Sequence, residues 1–233
     1  MRDRDSLARR PAQGTARPLL GMTVLVVEDS RFASEALRIM CLRSGARIRR
    51  ADSLGAAWRH LQVYRPSVIL VDAGLPDGSG LGLVASLAQA RPRIGTILAM
   101  SGTPGMAEAA RESGADGFLA KPLDRLDLFQ TEILPHLPPD HGTPGLRALA
   151  PDRIAPDPLA YRDDLDQIRD LLGGKPDDAA LAYAAQFLSG VARDAGDCTL
   201  ARAASGLTGP GTTSCLAHVM RLLDRRLAGR AAL

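Results

Sequence analysis

Five side chains that can bind a metal ion or contact a phosphate follow the short apolar runs of this sequence. Glu28 and Asp29 come after TVLVV, Asp72 after SVILV, Ser101 after TILAM and Lys121 after GFLA. In an open parallel sheet, ligand sites form beyond the carboxyl ends of the strands. If the runs are parallel strands, the three carboxylates, the hydroxyl and the ammonium group meet at one edge of the sheet.

Three carboxylates that lie close together repel one another unless a cation joins them. A site with only oxygen ligands favours a hard ion such as Mg²⁺, which also accepts phosphate oxygens. The ion offsets the repulsion while one carboxylate attacks an incoming phosphoryl group. Lys121 can neutralise one phosphoryl oxygen and Ser101 can donate a hydrogen bond to another. The residues therefore predict magnesium-dependent phosphoryl transfer.

The segment that contains these residues, 21–136, alternates apolar runs with helical stretches. Ser30 and Ser53 are predicted helix N-caps, and Gly45 and Gly114 stand where helices should end. The runs are apolar enough to be buried on both faces of a parallel sheet. Repeated strand–helix units predict an α/β sandwich of three layers with right-handed crossovers.

Four sequence features together resemble receiver (CheY-like) domains of two-component response regulators. They are the strings VLVVEDS, VDAGLPDGSG and GFLAKP, and the hydroxyl residue Ser101 after the fourth run. The resemblance covers residues 22–136. It implies a flavodoxin-like, doubly wound, five-stranded parallel sheet. It also implies that the domain accepts a phosphoryl group from a sensor histidine kinase or a histidine phosphotransfer protein.

The resemblance assigns a role to each residue of the acidic group. Asp72 matches the phosphoacceptor. Asp29 matches the direct Mg²⁺ ligand, and Glu28 matches its neighbour, which acts through water. Gly74 matches the position whose backbone carbonyl binds the metal.

Further positions match the residues that sense phosphorylation in this family. Ser101 and Lys121 match the pair that contacts the phosphoryl group. Phe118 matches the aromatic switch residue, although it lacks the hydroxyl of a tyrosine. The resemblance also implies a cis peptide bond before Pro122.

A flavin-binding protein of similar topology is a rival hypothesis for this segment. Such a protein surrounds phosphate with a loop rich in serine, threonine and glycine. The corresponding loop here is EDSRF, whose carboxylates repel phosphate when no metal is present. We therefore set this alternative aside.

The rest of the chain divides into three parts. Residues 1–20, rich in arginine, are predicted to be a flexible arm. Residues 137–159, rich in proline, are predicted to be a linker. Residues 160–233 show helical apolar periodicity without strand patterns, which predicts a small all-α bundle that acts as an output or interaction domain.

Three functions compete for the predicted bundle. The segment Ser205–Gly209 weakly resembles a histidine phosphotransfer motif with serine in place of histidine, so the bundle could bind partners without relaying phosphate. A DNA-binding output is the alternative, but the last 93 residues hold eleven basic and eleven acidic side chains, which argues against DNA as a partner. An enzymatic output, such as a cyclase or a phosphodiesterase, lacks a phosphate loop and a metal-ligand cluster.

Composition limits the remaining possibilities. The three cysteines are widely spaced, which predicts neither a zinc site nor a disulfide framework. No apolar run is long enough for a membrane helix and the N-terminus lacks a signal-peptide pattern, so we expect a cytoplasmic protein without a membrane partner. A second copy of the chain is a further candidate partner.

Overall fold

A computed structural model describes residues 17–137, 152–209 and 211–228. The strands are β1 Thr23–Val27, β2 Arg47–Ala51, β3 Val68–Asp72, β4 Gly74–Leu75, β5 Gly78–Ser79, β6 Thr96–Ser101 and β7 Gly117–Ala120. Five of them form one parallel sheet in the order β2-β1-β3-β6-β7, and β4 and β5 form a small antiparallel hairpin.

The chain enters the sheet at β1 and winds outward in both directions, so the first half of the chain is an α/β doubly wound, flavodoxin-like fold. The central strand β3 is buried along its whole length, as the apolar run predicted. The edge strand β2 carries three arginines, and charge on an edge opposes pairing with another chain.

Helices cover both faces of the sheet. They are α1 Arg31–Arg43, α2 Leu54–Val63, α3 Gly80–Gln89, α4 Met106–Glu112 and α5 Leu126–Ile133, followed by a 3₁₀ turn at Leu134–His136. Side chains of α1 and α5 pack in one core layer, and those of α2, α3 and α4 pack in the other. This is the three-layer sandwich that the sequence predicted.

The predicted helix boundaries are confirmed. The hydroxyl of Ser30 accepts a hydrogen bond from the backbone N–H of Ala33, and the hydroxyl of Ser53 caps α2 in the same way. Gly45 and Gly114, which follow α1 and α4, have φ values of 90° and 91°. Glycine enters this left-handed region without a side-chain clash, so each helix ends there.

The second half of the chain is helical, as predicted. Its helices are α6 Pro158–Gly173, α7 Asp178–Asp194, α8 Cys198–Ala204 and α9 Thr212–Ala228, with a 3₁₀ turn at Ser205–Thr208. We call α6 to α9 the helical bundle. Its core contains Leu165, Leu188, Leu200, Val219 and Leu223, all fully buried. Among the described residues, no helix has both the length and the apolar character needed to cross a bilayer.

Segments predicted as arm and linker contact the α/β domain where the structure describes them. Leu19, near the end of the predicted arm, is fully buried, and its N–H donates to the carbonyl of Ser44. Ile154, within the predicted linker, is buried in the core layer of α1 and α5. Residues 1–16 and 138–151 lie outside the described residues, so the boundaries of the arm and the linker stay predictions.

Candidate functional site

The acidic residues converge at the carboxyl ends of β1 and β3. One carboxylate oxygen from each of Glu28, Asp29 and Asp72 lies within 4.8 Å of the others. Glu28 and Asp72 are buried, and Asp29 is half-buried. The parallel pairing of β1 with β3 places these strand ends side by side, so the grouping follows from the topology of the sheet.

Lys121 lies within the same cluster because β7 ends at the same edge of the sheet. Its Nζ atom lies 2.6 Å from Oε2 of Glu28 and 2.7 Å from Oδ1 of Asp72. The other Asp72 oxygen, Oδ2, accepts a hydrogen bond of 2.9 Å from the N–H of Gly74. One lysine thus pairs with two buried carboxylates, and the third carboxylate, Asp29, has no ion pair among the described residues.

Burial shapes the electrostatics of this cluster. Desolvation raises the pKa of Glu28 well above its usual value, against the opposing effect of Lys121. Desolvation also raises the pKa of Asp29 to about 6, with a further contribution from Asp72. Burial alone would lower the pKa of Lys121, but Glu28 and Asp72 raise it above the ordinary lysine value. The cluster therefore holds excess negative charge that a further cation would stabilise.

The other predicted site residues lie around the same cavity or behind it. Ser101 and Gly74 line a cavity of about 720 Å³ together with the acidic cluster. The hydroxyl of Ser101 accepts a hydrogen bond from the N–H of Thr103, 3.1 Å away. Phe118 is half-buried and packs on the core layer of α2, α3 and α4. The peptide bond between Lys121 and Pro122 is cis.

Gly80 supports the site and was not predicted from the sequence. A Cβ atom at Gly80 would lie 1.8 Å from the main-chain oxygen of Asp72, far inside van der Waals contact. The N-terminus of α3 can approach the Asp72 backbone this closely only because residue 80 has no side chain. The string VDAGLPDGSG contains this glycine, but sequence spacing did not show what it contacts.

The helical bundle forms the opposite wall of the cavity, which the sequence did not predict. The hydroxyl of Tyr183 in α7 donates a hydrogen bond of 2.9 Å to Oδ2 of Asp29. Arg193, also in α7, donates to the carbonyl of Gly102, directly after Ser101. Gln186 lies so close to Gly74 that a Cβ atom there would be 1.8 Å from its Nε2 atom.

A second contact from the bundle is made by Asp164 of α6, which is fully buried. Its carboxylate accepts hydrogen bonds from the backbone N–H of Arg31 and of Phe32, at 2.8 Å and 3.1 Å, and from the hydroxyl of Ser30. Asp164 thus caps α1 from another part of the chain. In sequence it resembles an ordinary charged residue of a solvent-exposed helix face, so no local signal marked it.

The residues present fit a magnesium ion. Three carboxylate oxygens lie within reach of one small ion, and oxygen-only ligands are the set that Mg²⁺ prefers. Three carboxylates share a single ammonium group, that of Lys121, so a further cation would stabilise their ionised forms. We therefore infer that Glu28, Asp29 and Asp72 are suited to hold the ion.

The comparison with protein families agrees with this geometry. Residues 24–131 match the response regulator receiver domain. With the sheet order and the acidic cluster described above, this part of the chain is a CheY-like receiver domain. The helical bundle lies outside the matched residues.

The curated relatives are similar to the receiver domain alone. The KDP operon transcriptional regulatory protein KdpE of Escherichia coli is 31% identical over 99 residues, which is 42% of this chain and 44% of KdpE. The virulence transcriptional regulatory protein PhoP of Salmonella typhimurium is 30% identical over 103 residues, which is 43% of this chain and 46% of PhoP. The chain thus spans less than half the length of these relatives.

Two solved structures match about half of this chain and most of their own length. A putative response regulator from Chloroflexus aurantiacus is 29% identical, with a TM-score of 0.41, over 43% of this chain and 85% of its own. The receiver domain of a histidine kinase from Syntrophus aciditrophicus is 22% identical, with a TM-score of 0.46, over 56% of this chain and 98% of its own.

One expectation finds no support in the relatives. Balanced charge in the last 93 residues argued against DNA as a partner. KdpE and PhoP carry names that describe transcriptional regulatory proteins, so the relatives give that expectation no support. Net charge was a weak criterion, because a basic helix face can exist in a segment whose charges sum to zero.

Proposed function

We propose that the chain is a response regulator that accepts a phosphoryl group on Asp72 in the cytoplasm. A sensor histidine kinase or a histidine phosphotransfer protein supplies the group. The observation that carries the proposal is the ion pair of Lys121 with both Glu28 and Asp72, next to Asp29. A lysine held at the phosphoacceptor is placed to neutralise a phosphoryl oxygen as it arrives.

The reaction forms one bond and breaks another. A carboxylate oxygen of Asp72 attacks phosphorus and forms an acyl phosphate. The bond between phosphorus and the donor nitrogen breaks, and the donor keeps the electron pair. Phosphoryl transfer depends mostly on positioning and charge stabilisation, and here Gly74 N–H and Lys121 Nζ orient the two Asp72 oxygens before the donor arrives.

The remaining site residues support the same step. Bound Mg²⁺ supplies positive charge that offsets the repulsion between the carboxylates and the phosphoryl oxygens. Glu28, Asp29, Asp72 and the backbone carbonyl of Gly74 would hold the ion, and the hydroxyl of Ser101 would donate to a phosphoryl oxygen. A rearrangement of the Ser101 loop and of the Phe118 ring then changes the exposed surface.

The output that we propose is protein–protein interaction through the helical bundle. A DNA-binding output is the second candidate, because the names of KdpE, PhoP and the DNA-binding transcriptional regulator NtrC of Azospirillum brasilense describe transcriptional regulators. A gel-shift titration of the phosphorylated chain with genomic fragments separates the two. Retention of specific fragments at physiological salt favours the DNA-binding output.

The proposed chemistry is tested by incubating the full chain with acetyl phosphate and Mg²⁺. We expect the wild type to gain the mass of one phosphoryl group, and Asp72→Asn or added chelator to abolish the gain. Asp77→Asn is the matched control, because the Asp77 carboxylate accepts hydrogen bonds at the start of α2 and lies outside the acidic cluster. Equal labelling of wild type and Asp72→Asn contradicts the proposal.

A further inference from the structure

The helical bundle covers the surface from which a phosphodonor must reach Asp72. Helix α7 contacts three of the four loops that surround the acidic cluster. Tyr183 contacts the loop after β1, Gln186 the loop after β3, and Arg193 the loop after β6. These three loops carry the metal ligands, the phosphoacceptor and the hydroxyl of Ser101.

The bundle is also anchored beside the pocket. The Phe32 ring, from the first turn of α1, is buried in the core of the bundle and packs edge-on against Tyr161 at a centroid distance of 5.7 Å. Asp164 caps the same turn with two backbone hydrogen bonds. The first turn of α1 directly follows Asp29, so the anchor and the predicted metal site share one short stretch of backbone.

We propose that the helical bundle is an intramolecular lid whose docking competes with Mg²⁺ and with the phosphoryl group on Asp72. The inference rests on the proposed function, because it concerns access to the same pocket. The lid has two parts, an anchor at Phe32 and Asp164 and a cover formed by α7. The partner that fits the receiver surface is thus part of the same chain.

Competition with the metal follows from the contact between Tyr183 and Asp29. The Tyr183 hydroxyl donates a hydrogen bond to Oδ2 of Asp29. A Mg²⁺ ion, or one of the water molecules it keeps, that approaches this oxygen must compete with the hydroxyl for it. Linkage is reciprocal: if docking of α7 weakens binding of the metal, then binding of the metal weakens docking of α7 by the same factor.

The lid discriminates between donors by size. A cavity of about 720 Å³ remains between α7 and the receiver, which leaves room for a small phosphodonor such as acetyl phosphate. A protein donor must place its phosphohistidine at Asp72 and therefore needs the loops that α7 contacts. A small donor can enter the cavity of the closed form, whereas a protein donor cannot reach Asp72 until the lid opens.

Two backbone amides report whether the lid is docked. The first N–H groups of a helix have no partner within that helix. For Arg31 and Phe32 the partner is the Asp164 carboxylate of the bundle. We expect both amides of the full chain to be protected from hydrogen exchange in chelator. Their protection should fall by about tenfold or more when Mg²⁺ and beryllofluoride, a mimic of the phosphoryl group, are added.

Removal of the Tyr183 hydroxyl tests whether docking of α7 competes with binding of Mg²⁺. We expect Tyr183→Phe to bind Mg²⁺ about three- to tenfold more tightly than the wild type in calorimetric titration, the range for one typical net hydrogen bond. Tyr161→Phe is the matched control, because its hydroxyl donates to Asp197 within the bundle and its ring stays in place. The control should bind Mg²⁺ as the wild type does.

The outcomes separate this inference from the proposed function. If acetyl phosphate labels Asp72 but the two amides stay protected with Mg²⁺ and beryllofluoride, the lid is overturned and the phosphoacceptor stands. Equal Mg²⁺ affinity in Tyr183→Phe and Tyr161→Phe overturns the competition in the same way. If neither the wild type nor Tyr183→Phe takes up a phosphoryl group, the proposed function fails, whatever the amides show.

Discussion

The two walls of the acidic cavity differ in the kind of contact that forms them. On the receiver wall, Glu28 and Asp72 are buried, Lys121 is half-buried, and ion pairs join the three at the ends of sheet strands. On the bundle wall, α7 presents a phenol, an amide and a guanidinium group that each make a single contact. The receiver wall therefore fixes the chemistry, and the bundle wall regulates access to it.

The difference extends to how each wall is held in place. The receiver side chains project from the ends of buried parallel strands, which cannot move without disrupting the central core. The bundle wall is held against the receiver by the Phe32 ring, by Asp164 at the start of α1 and by the polar contacts of α7. Each half has a hydrophobic core of its own, so the two walls can separate while both halves stay folded, which a pocket that must admit a donor requires.

The largest expected effect comes from removing the central cation. Lys121→Met leaves Glu28 and Asp72 buried without a partner charge, and breaking a buried ion pair on one side costs about 3–5 kcal/mol. We expect the free energy of unfolding, measured with urea in chelator, to fall by about that amount. Added Mg²⁺ should restore part of the loss.

The control for this variant is the only other lysine of the chain, Lys175, which is exposed. Lys175→Met should change the free energy of unfolding by less than about 0.5 kcal/mol. If Lys121→Met and Lys175→Met have the same free energy of unfolding, the ion pairs do not stabilise the receiver wall. The two walls then do not differ in how they are held.

The next effect tests the rigidity of the receiver wall. Gly80→Ala forces the new Cβ atom against the Asp72 main-chain oxygen, so the start of α3 and the phosphoacceptor must shift apart. We expect a loss of about 1–3 kcal/mol in urea unfolding, typical of overpacking, and slower labelling by acetyl phosphate.

Gly82→Ala, in the same helix, is the matched control. Its Cβ atom would lie no closer than 4.0 Å to its neighbours, and alanine favours a helix over glycine by about 1 kcal/mol. The control should be as stable as the wild type or more so, and should be labelled at the same rate. If Gly80→Ala and Gly82→Ala have the same stability and the same labelling rate, the receiver wall can adjust around residue 80 and is less rigid than its contacts indicate.

The receiver wall could be predicted from the sequence and the bundle wall could not. Asp72, Lys121 and Ser101 each follow an apolar run, and parallel strands bring such positions to one edge whatever the details of packing. Tyr183 and Asp164 lie more than 130 positions from the residues they contact, Asp29 and Arg31. Their contacts depend on how the bundle packs on α1, and no periodicity within either half encodes that packing.

Phe32 carried the one signal that could have indicated this packing. Phe32 lies in the first turn of α1, directly after the capping residue and Arg31, and it is a large aromatic residue in a chain with few aromatic residues. The structure places its ring in the core of the bundle. A large aromatic residue at this position indicated that α1 packs against something outside the receiver domain. It did not indicate that the helical bundle is what packs there.

The smallest expected effect tests whether an ionised carboxylate in the bundle wall destabilises the folded chain. Asp194, the last residue of α7, is half-buried, and its buried Oδ1 atom has no hydrogen-bond partner among the described residues. Desolvation raises its pKa to about 6; Lys121 and Arg193 lower it, whereas Asp72 and Asp124 raise it. Between pH 4 and 6 the folded chain therefore binds more protons at Asp194 than the unfolded chain, and the free energy of unfolding falls as the pH rises.

Asp194→Asn removes this penalty. Relative to the wild type, we expect the variant to gain about 1–2 kcal/mol of unfolding free energy at pH 7.5 and almost nothing at pH 4, in urea unfolding with chelator. Asp224→Asn, at an exposed site of α9, should show no such pH dependence. A gain at pH 7.5 means that the ionised Asp194 carboxylate opposes closure of the wall it belongs to. A loss there instead means that its attraction to Lys121 holds the two walls together, and the bundle wall then shares the ion pairing of the receiver wall.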